Sequence, residues 1–128
     1  MKYMLDTNIC IYLIKHHPPE VAKRFDACRK GEIVISAITW AELCCGINKD
    51  GHDVVEQILT ILDILPFGIE QGRLYGKLTA LLPNRKANLD RMIAAHAMTL
   101  GAVLVTNNTS DFEIYEPHGL KIENWIDP

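Results

Sequence analysis

The 128-residue chain has no excess of basic residues, no long apolar run and no paired-cysteine motif, and each absence removes a class of function. Thirteen Lys and Arg against sixteen Asp and Glu leave a formal charge of -3, so no overall basic field draws the protein to nucleic acid or anionic membrane. A polyanion partner must be held locally. Apolar stretches are interrupted, by Asp63 and His96 among others, short of the roughly 18 residues that a membrane span requires, which predicts a soluble protein with no membrane partner. Cys10, Cys28, Cys44 and Cys45 form no C-x-x-C pair, and adjacent Cys44 and Cys45 would strain to bridge each other. All four read as small buried hydrophobes in a reducing, cytoplasmic setting, with no signal peptide ahead of the first structured residues. Repeats and low-complexity segments are also lacking. What is there is 48% hydrophobic sequence at the common size of one domain, spanning residues 1–128, able to bury roughly two thirds of its unfolded surface.

The apolar residues come in short blocks. Residues 1–5, 32–36 and 102–105 are brief apolar runs bounded by polar or glycine turns, the pattern of buried parallel strands, and residues 120–122 predict a last short strand. Helical spacing predicts helices over residues 9–15, 20–30, 38–48, 53–65, 69–82 and 89–100. Pro18 and Pro19 open the second and Gly31 stops it, Asp50-Gly51 breaks after the third, Pro83 ends the fifth and Gly101 the sixth. The apolar stripe over residues 53–65 is roughly 160° wide, broader than one core contact needs, so it faces either a partner or a sandwich of sheet and neighbouring helix. Strands alternating with helices predict an α/β domain whose mainly parallel sheet is covered on both faces.

In such folds sites lie beyond the carboxyl ends of the strands. Asp6 directly follows the first strand and Asp111 lies a few residues beyond the 102–105 strand, while Glu42 and Asp90 fall near helix starts that can point at the same rim. Each acid has an ordinary explanation. Asp6 suits an Asx turn, Glu42 is spaced from Thr39 as in a capping box, Asp90 favours a helix N-terminus after Asn88, and Asp111 is common in polar loops. Four acids converging on one rim are harder to explain singly. Gathered carboxylates raise each other's pKa unless cations neutralise them, and oxygen-only ligands select hard ions such as Mg²⁺ or Mn²⁺. Such ions suit in-line displacement at a phosphodiester by water, with no protein nucleophile.

Other chemistries compete. His16, His17, His52, His96 and His118 admit a metal-independent histidine ribonuclease, although no pair is convincingly placed and His96 reads as a packing residue. A strand followed by Asp6 suits an aspartyl-nucleophile phosphatase, whose usual second acid two residues on is here Asn8. A catalytically silent binding module on the same fold is the third alternative. Asn8, Thr106 and Asn107 sit where they can orient carboxylates, or merely form turns. Lys15, Arg85, Lys86 and Arg91 are candidates for RNA-backbone contacts, or simply solvated charges. Trp40 and Trp125 read as core rather than base-stacking residues.

Four blocks, in order, carry a resemblance that covers nearly the whole chain. They are Met4-Leu5-Asp6-Thr7-Asn8, the segment from Ile35-Ser36 through Thr39-Trp40-Ala41-Glu42-Leu43, the segment Leu89-Asp90-Arg91-Met92-Ile93-Ala94-Ala95-His96-Ala97, and Val105-Thr106-Asn107-Asn108-Thr109-Ser110-Asp111-Phe112. The chain resembles the PIN-domain endoribonucleases, and more narrowly the VapC toxins of VapBC toxin-antitoxin pairs. The resemblance implies a three-layer α/β sandwich with a mainly parallel sheet of about five strands flanked by helices. It further implies an Mg²⁺-dependent endoribonuclease toxin acting on cellular RNA, often tRNA, a homodimer, and a cognate antitoxin whose tail enters the site. It carries the family's acidic quartet onto Asp6, Glu42, Asp90 and Asp111 as catalytic and metal-binding residues, with Glu113 competing for the fourth place. The chain departs from the family in approaching the third acid through Arg85-Lys86-Ala87-Asn88, where members often have a glycine.

Overall fold

The computed structural model describes residues 1–46, 53–82 and 88–126. Five parallel strands, β1 (Tyr3–Leu5), β2 (Ile33–Ser36), β3 (Asp63–Leu65), β4 (Val103–Val105) and β5 (Lys121–Glu123), form one sheet in the order β3-β2-β1-β4-β5. The helices between them, among the described residues, are α1 (Thr7–Lys15), α2 (Pro19–Asp26), α3 (Ala37–Cys45), α4 (Asp53–Ile61), α5 (Ile69–Leu81), α6 (Asn88–Leu100) and α7 (Thr109–Phe112), with a 3-10 turn at Glu113–His118. This is the three-layer α/β arrangement expected.

The apolar strand runs follow from burial on both sheet faces. Successive side chains of a strand point to opposite faces. Met4 accordingly packs on one side with Val34, Leu104, Ala94 and Tyr115, while Leu5 packs on the other with Ile35, Val105, Ile9 and Trp125. The register Met4 to Val34 and Met4 to Leu104 stacks these residues in rows across the middle of the sheet. With both faces covered, no polar alternation is left to read.

One segment differs from expectation. The expected helix over residues 53–65 ends at Ile61, and Asp63–Leu65 is instead edge strand β3, paired in register with Val34, Ile35 and Ser36. Its Ile64 joins the core on one face and its Leu65 the core on the other, a two-residue period hidden at the end of a helical stripe. Helix α2 stops at Asp26, four residues early, and Gly31, at a φ of 89° reserved for glycine, makes the turn into β2. The cysteines differ as well. Cys10 is buried, Cys28 and Cys44 are partly covered, and Cys45 is exposed on the outer side of α3; all four are free. The expected end of the third helix at Asn48, the Asp50-Gly51 break, His52, Pro83 and the basic loop with Arg85 and Lys86 lie outside the described residues. Among the described residues, no helix is long and apolar enough to cross a membrane.

Candidate active site

Asp6 leaves β1 and caps α1. Its Oδ1 accepts the Ile9 N–H at 3.0 Å, so the turn-forming explanation holds for one oxygen. The other oxygen does different work. Thr106, which leaves the adjacent strand β4, donates its hydroxyl to Asp6 Oδ2 at 2.5 Å while accepting the Asn108 N–H at 3.0 Å. Asp6 is 6% exposed. Burial pushes its carboxyl up, the Thr106 hydroxyl and the Ile9 amide pull it partly back, and the Glu42 charge adds to the rise.

Glu42 is not part of a capping box. Ser36 is the N-cap of α3, its Oγ accepting the Ile38 N–H at 3.0 Å, so the helix starts too early for Thr39 to cap it. Thr39 is fully buried, and Glu42, five residues into the helix, receives the Thr7 hydroxyl at 2.8 Å on Oε1. Helices α1 and α3 thus deliver their acids side by side.

Asp90 sits in the first turn of α6 and faces the same space. Asp6, Thr7, Asn8, Glu42, Asp90, Ile93, Asn108 and Phe112 line one pocket of about 150 Å³ beyond the strand ends. Partial burial, then the charges of Asp111, Glu42 and Asp6, raise the Asp90 carboxyl to about 6. Asp111, exposed in the first turn of α7, therefore acts electrically on Asp90 although it is not one of the pocket's lining residues. Glu113, exposed in the 3-10 turn, is not among the charges that raise Asp90. Among the described residues no three His, Cys, Asp or Glu side chains are grouped as a ready-made metal cage. The pocket is an open set of oxygen donors.

Of the accessory candidates, Asn8 lines the pocket, Thr106 lies beneath it, and Asn107 is exposed beside Asn124, whose amide donates to its Oδ1 at 3.3 Å. Lys15 is exposed at the far end of α1. Arg91 is a correction, because it is 1% exposed and turned inward, its guanidinium donating to Tyr115 Oη at 3.2 Å and Thr79 Oγ1 at 3.1 Å. Position 91 falls on the core side of α6, where the next turn puts Ala94 and Ala95, and an arginine there is a buried strut rather than an RNA contact. Trp40 packs against the core, and Trp125 is buried with its indole N–H on Glu123 Oε1. No described histidine lines the pocket: His16, His17 and His118 are exposed elsewhere and His96 is buried. Thr7 and Asn108 escaped sequence reasoning. Thr7 was legible only as a neighbour of Asp6, and Asn108 only as part of a polar turn. A roomier cavity of about 350 Å³, around Phe25, Arg29, Ile33 and Ile61 at the opposite end of β2, contains one carboxylate, Asp26, and no acid cluster.

Residues 3–116 match the family model described as PIN domain. The chain is 36% identical over 133 residues to a tRNA(fMet)-specific endonuclease VapC of Shigella flexneri, covering 98% of both proteins. It is 38% identical over 134 residues to a ribonuclease VapC2 of Haemophilus influenzae, covering 98% of this chain and 99% of that one. Among solved structures it is similar to DNA-bound VapBC from Salmonella typhimurium, with a TM-score of 0.84, 34% identity and coverage of 98% of this chain and 99% of that one. It is likewise similar to VapBC2 of Rickettsia felis bound to a promoter DNA fragment, with a TM-score of 0.82, 33% identity and coverage of 98% and 100%.

Proposed function

The chain belongs to the PIN-domain family, and on that premise we propose that it is a divalent-metal-dependent endoribonuclease toxin, cutting cellular RNA of the tRNA class and restrained by a cognate antitoxin. In this reading residues 1–128 act as one domain, as a homodimer, in the cytoplasm. The observation that carries the activity is the pocket in which Asp6, Glu42 and Asp90 meet, with Asp111 close enough to help raise Asp90 to about 6. Burial first, and then the charge of neighbouring acids, hold the Asp6 and Asp90 carboxyls above their ordinary range, and a bound cation would relieve both.

The donor set fits a small hard ion. Asp6, Glu42, Asp90 and Asp111 offer only oxygens, and Mg²⁺ is ordinarily held by one or two carboxylates with water and phosphate oxygens completing its shell, so an open pocket suits it better than a cage. Mg²⁺ is the preferred ion and Mn²⁺ its substitute. When bound, the ion neutralises the phosphate and acidifies water. The chain's own residues do the rest. Thr106 and the Ile9 amide fix both oxygens of Asp6, which also leaves that carboxylate poorly placed to act as a nucleophile. Thr7 fixes Glu42, and Asn8 and Asn108 line the same pocket as polar residues within reach of a bound substrate.

The test is cleavage of purified tRNA by the purified protein, with RNA ends sequenced from cells expressing the wild type or Asp6→Asn. The expected result is cutting that needs divalent metal, leaves 5'-phosphate and 3'-hydroxyl ends, and disappears in Asp6→Asn. Cutting that persists in excess EDTA, or ends carrying 2',3'-cyclic phosphate, would overturn the reading.

A further inference from the structure

His96 and Ser36 are buried, 1% and 0% exposed, and neither lines the acid pocket. Their polar atoms meet all the same: His96 Nδ1 lies 2.7 Å from Ser36 Oγ, joining residues 60 apart in the chain. The Ser36 oxygen also accepts the Ile38 N–H as the N-cap of α3, and its own proton can be given to Nδ1 of a neutral imidazole. Burial holds the ring below the ordinary histidine range, in keeping with a neutral acceptor. The Phe67 ring meets the imidazole edge-on, at 5.8 Å between centroids and 88°, and closes off rotation on another side.

The location of this bond is what matters. Ser36 begins the helix that carries Glu42, and His96 stands on the helix that carries Asp90. Helices α3 and α6 pack together with the hydrogen bond at one end of their contact and the two carboxylates, in their shared pocket, at the other. The spacing is the same on both, Ser36 to Glu42 and Asp90 to His96 being six residues each, about 9 Å along a helix axis. A slide of one helix past the other breaks the bond and changes the separation of the acids together.

We propose that His96 is a positioning residue, and that its hydrogen bond to Ser36 sets the registry of α3 on α6 and so the separation of Glu42 and Asp90. The inference rests on the reading of those acids as the metal-binding pair. Asparagine carries its amide oxygen close to where histidine carries Nδ1, so His96→Asn retains an acceptor for Ser36, whereas His96→Leu keeps apolar bulk and loses it.

The experiment titrates Mn²⁺ into each folded protein by calorimetry and measures kcat and KM on an RNA oligonucleotide, with Asp90→Asn as the control for the metal site. His96→Leu is expected to weaken Mn²⁺ binding about tenfold and to lower kcat by at least as much at saturating metal, with KM for RNA within about twofold, the scale seen when a group behind a metal ligand is removed. His96→Asn is expected to stay within about threefold of wild type in both. If His96→Leu does not fold, His96→Gln, whose amide lies one carbon farther out, serves in its place with the same expected loss. Unchanged Mn²⁺ affinity in the acceptor-less variant, or equal losses in it and in His96→Asn, would overturn the positioning role. A wild-type chain that binds no Mn²⁺, or binds it as Asp90→Asn does, would overturn the metal reading itself and this inference with it.

Discussion

The Thr7 hydroxyl donates to Glu42 across 2.8 Å, and Thr7 directly follows Asp6 in the chain. Two acids that lie 36 positions apart, 6 and 42, are therefore linked by one peptide bond and one hydrogen bond. Thr7→Val keeps the shape and removes the donor. We expect turnover to fall about tenfold with a melting change worth no more than about 1 kcal/mol, the usual net value of one such bond. Thr7→Ser should restore the rate. Turnover of Thr7→Val equal to wild type would show that Glu42 is held by something else.

Glu42→Gln separates chemistry from architecture. The amide still accepts the Thr7 hydroxyl, but the charge is gone. Cleavage should drop at least about 100-fold while circular dichroism and melting stay close to wild type. A variant that unfolds, with any soluble fraction cutting normally, would make Glu42 a packing residue.

Asp90 contributes one pH-dependent step to the stability of the metal-free protein. Its carboxyl titrates near 6 in the fold against an ordinary value of 3.8, so the native state holds the proton more tightly than the unfolded chain does. The resulting strain is absent below about pH 4 and complete above about pH 6, and stability from this group falls as pH rises between them. Asp90→Asn should flatten that slope and, in EDTA at pH 7.5, melt no lower than wild type. Mg²⁺ should then raise the wild type more than the variant, since only binding to the native state stabilises. A carboxylate that merely favours a helix start predicts a destabilised variant and melting indifferent to Mg²⁺.

Asp111 and Glu113 are told apart by the same group. Asp111 helps raise Asp90 and Glu113 does not figure in that rise, so Asp111→Asn should lower the Asp90 pKa, followed by carboxyl NMR, and cut turnover by about tenfold or more. Glu113→Gln should change neither. The reverse pattern would transfer the fourth place to Glu113.

Arg91→Met tests a buried strut. Removing the guanidinium takes the donor from the Tyr115 and Thr79 hydroxyls, and leaving a buried polar group without its partner costs about 1 to 3 kcal/mol. Melting should fall accordingly, while KM for RNA measured below the transition remains that of the wild type. A raised KM with unchanged melting would return Arg91 to the substrate surface.

The short central strands and most helices were legible because burial on both faces leaves unbroken apolar blocks between turn residues. Strand β3 was not, because Asp63–Leu65 continues the stripe of α4 and only its pairing with β2 reveals a change of period. Asp6, Glu42, Asp90 and Asp111 were legible as a set of acids at strand ends and helix starts. Their supports were not. Thr7, Thr106 and Ser36 are ordinary turn and cap residues in one dimension, and their second contacts run to residues 35, 100 and 60 positions away. Arg91 misled for a related reason, since charge argues for the surface until a buried tyrosine and a half-buried threonine are found to accept from it.

The central strand of the sheet is the first to be synthesised, yet one of its two neighbours, β4, comes at Val103–Val105, and the hydroxyl that grips Asp6 follows at Thr106. A growing polypeptide that has not reached that point has β1 flanked on the β2 side alone, with its first acid not yet held by both oxygens. Closing so long a loop is also the slowest sort of contact for a chain to make. The pocket, with Asp6 held through both oxygens, is therefore complete only after the chain has grown past Thr106 and Asn108.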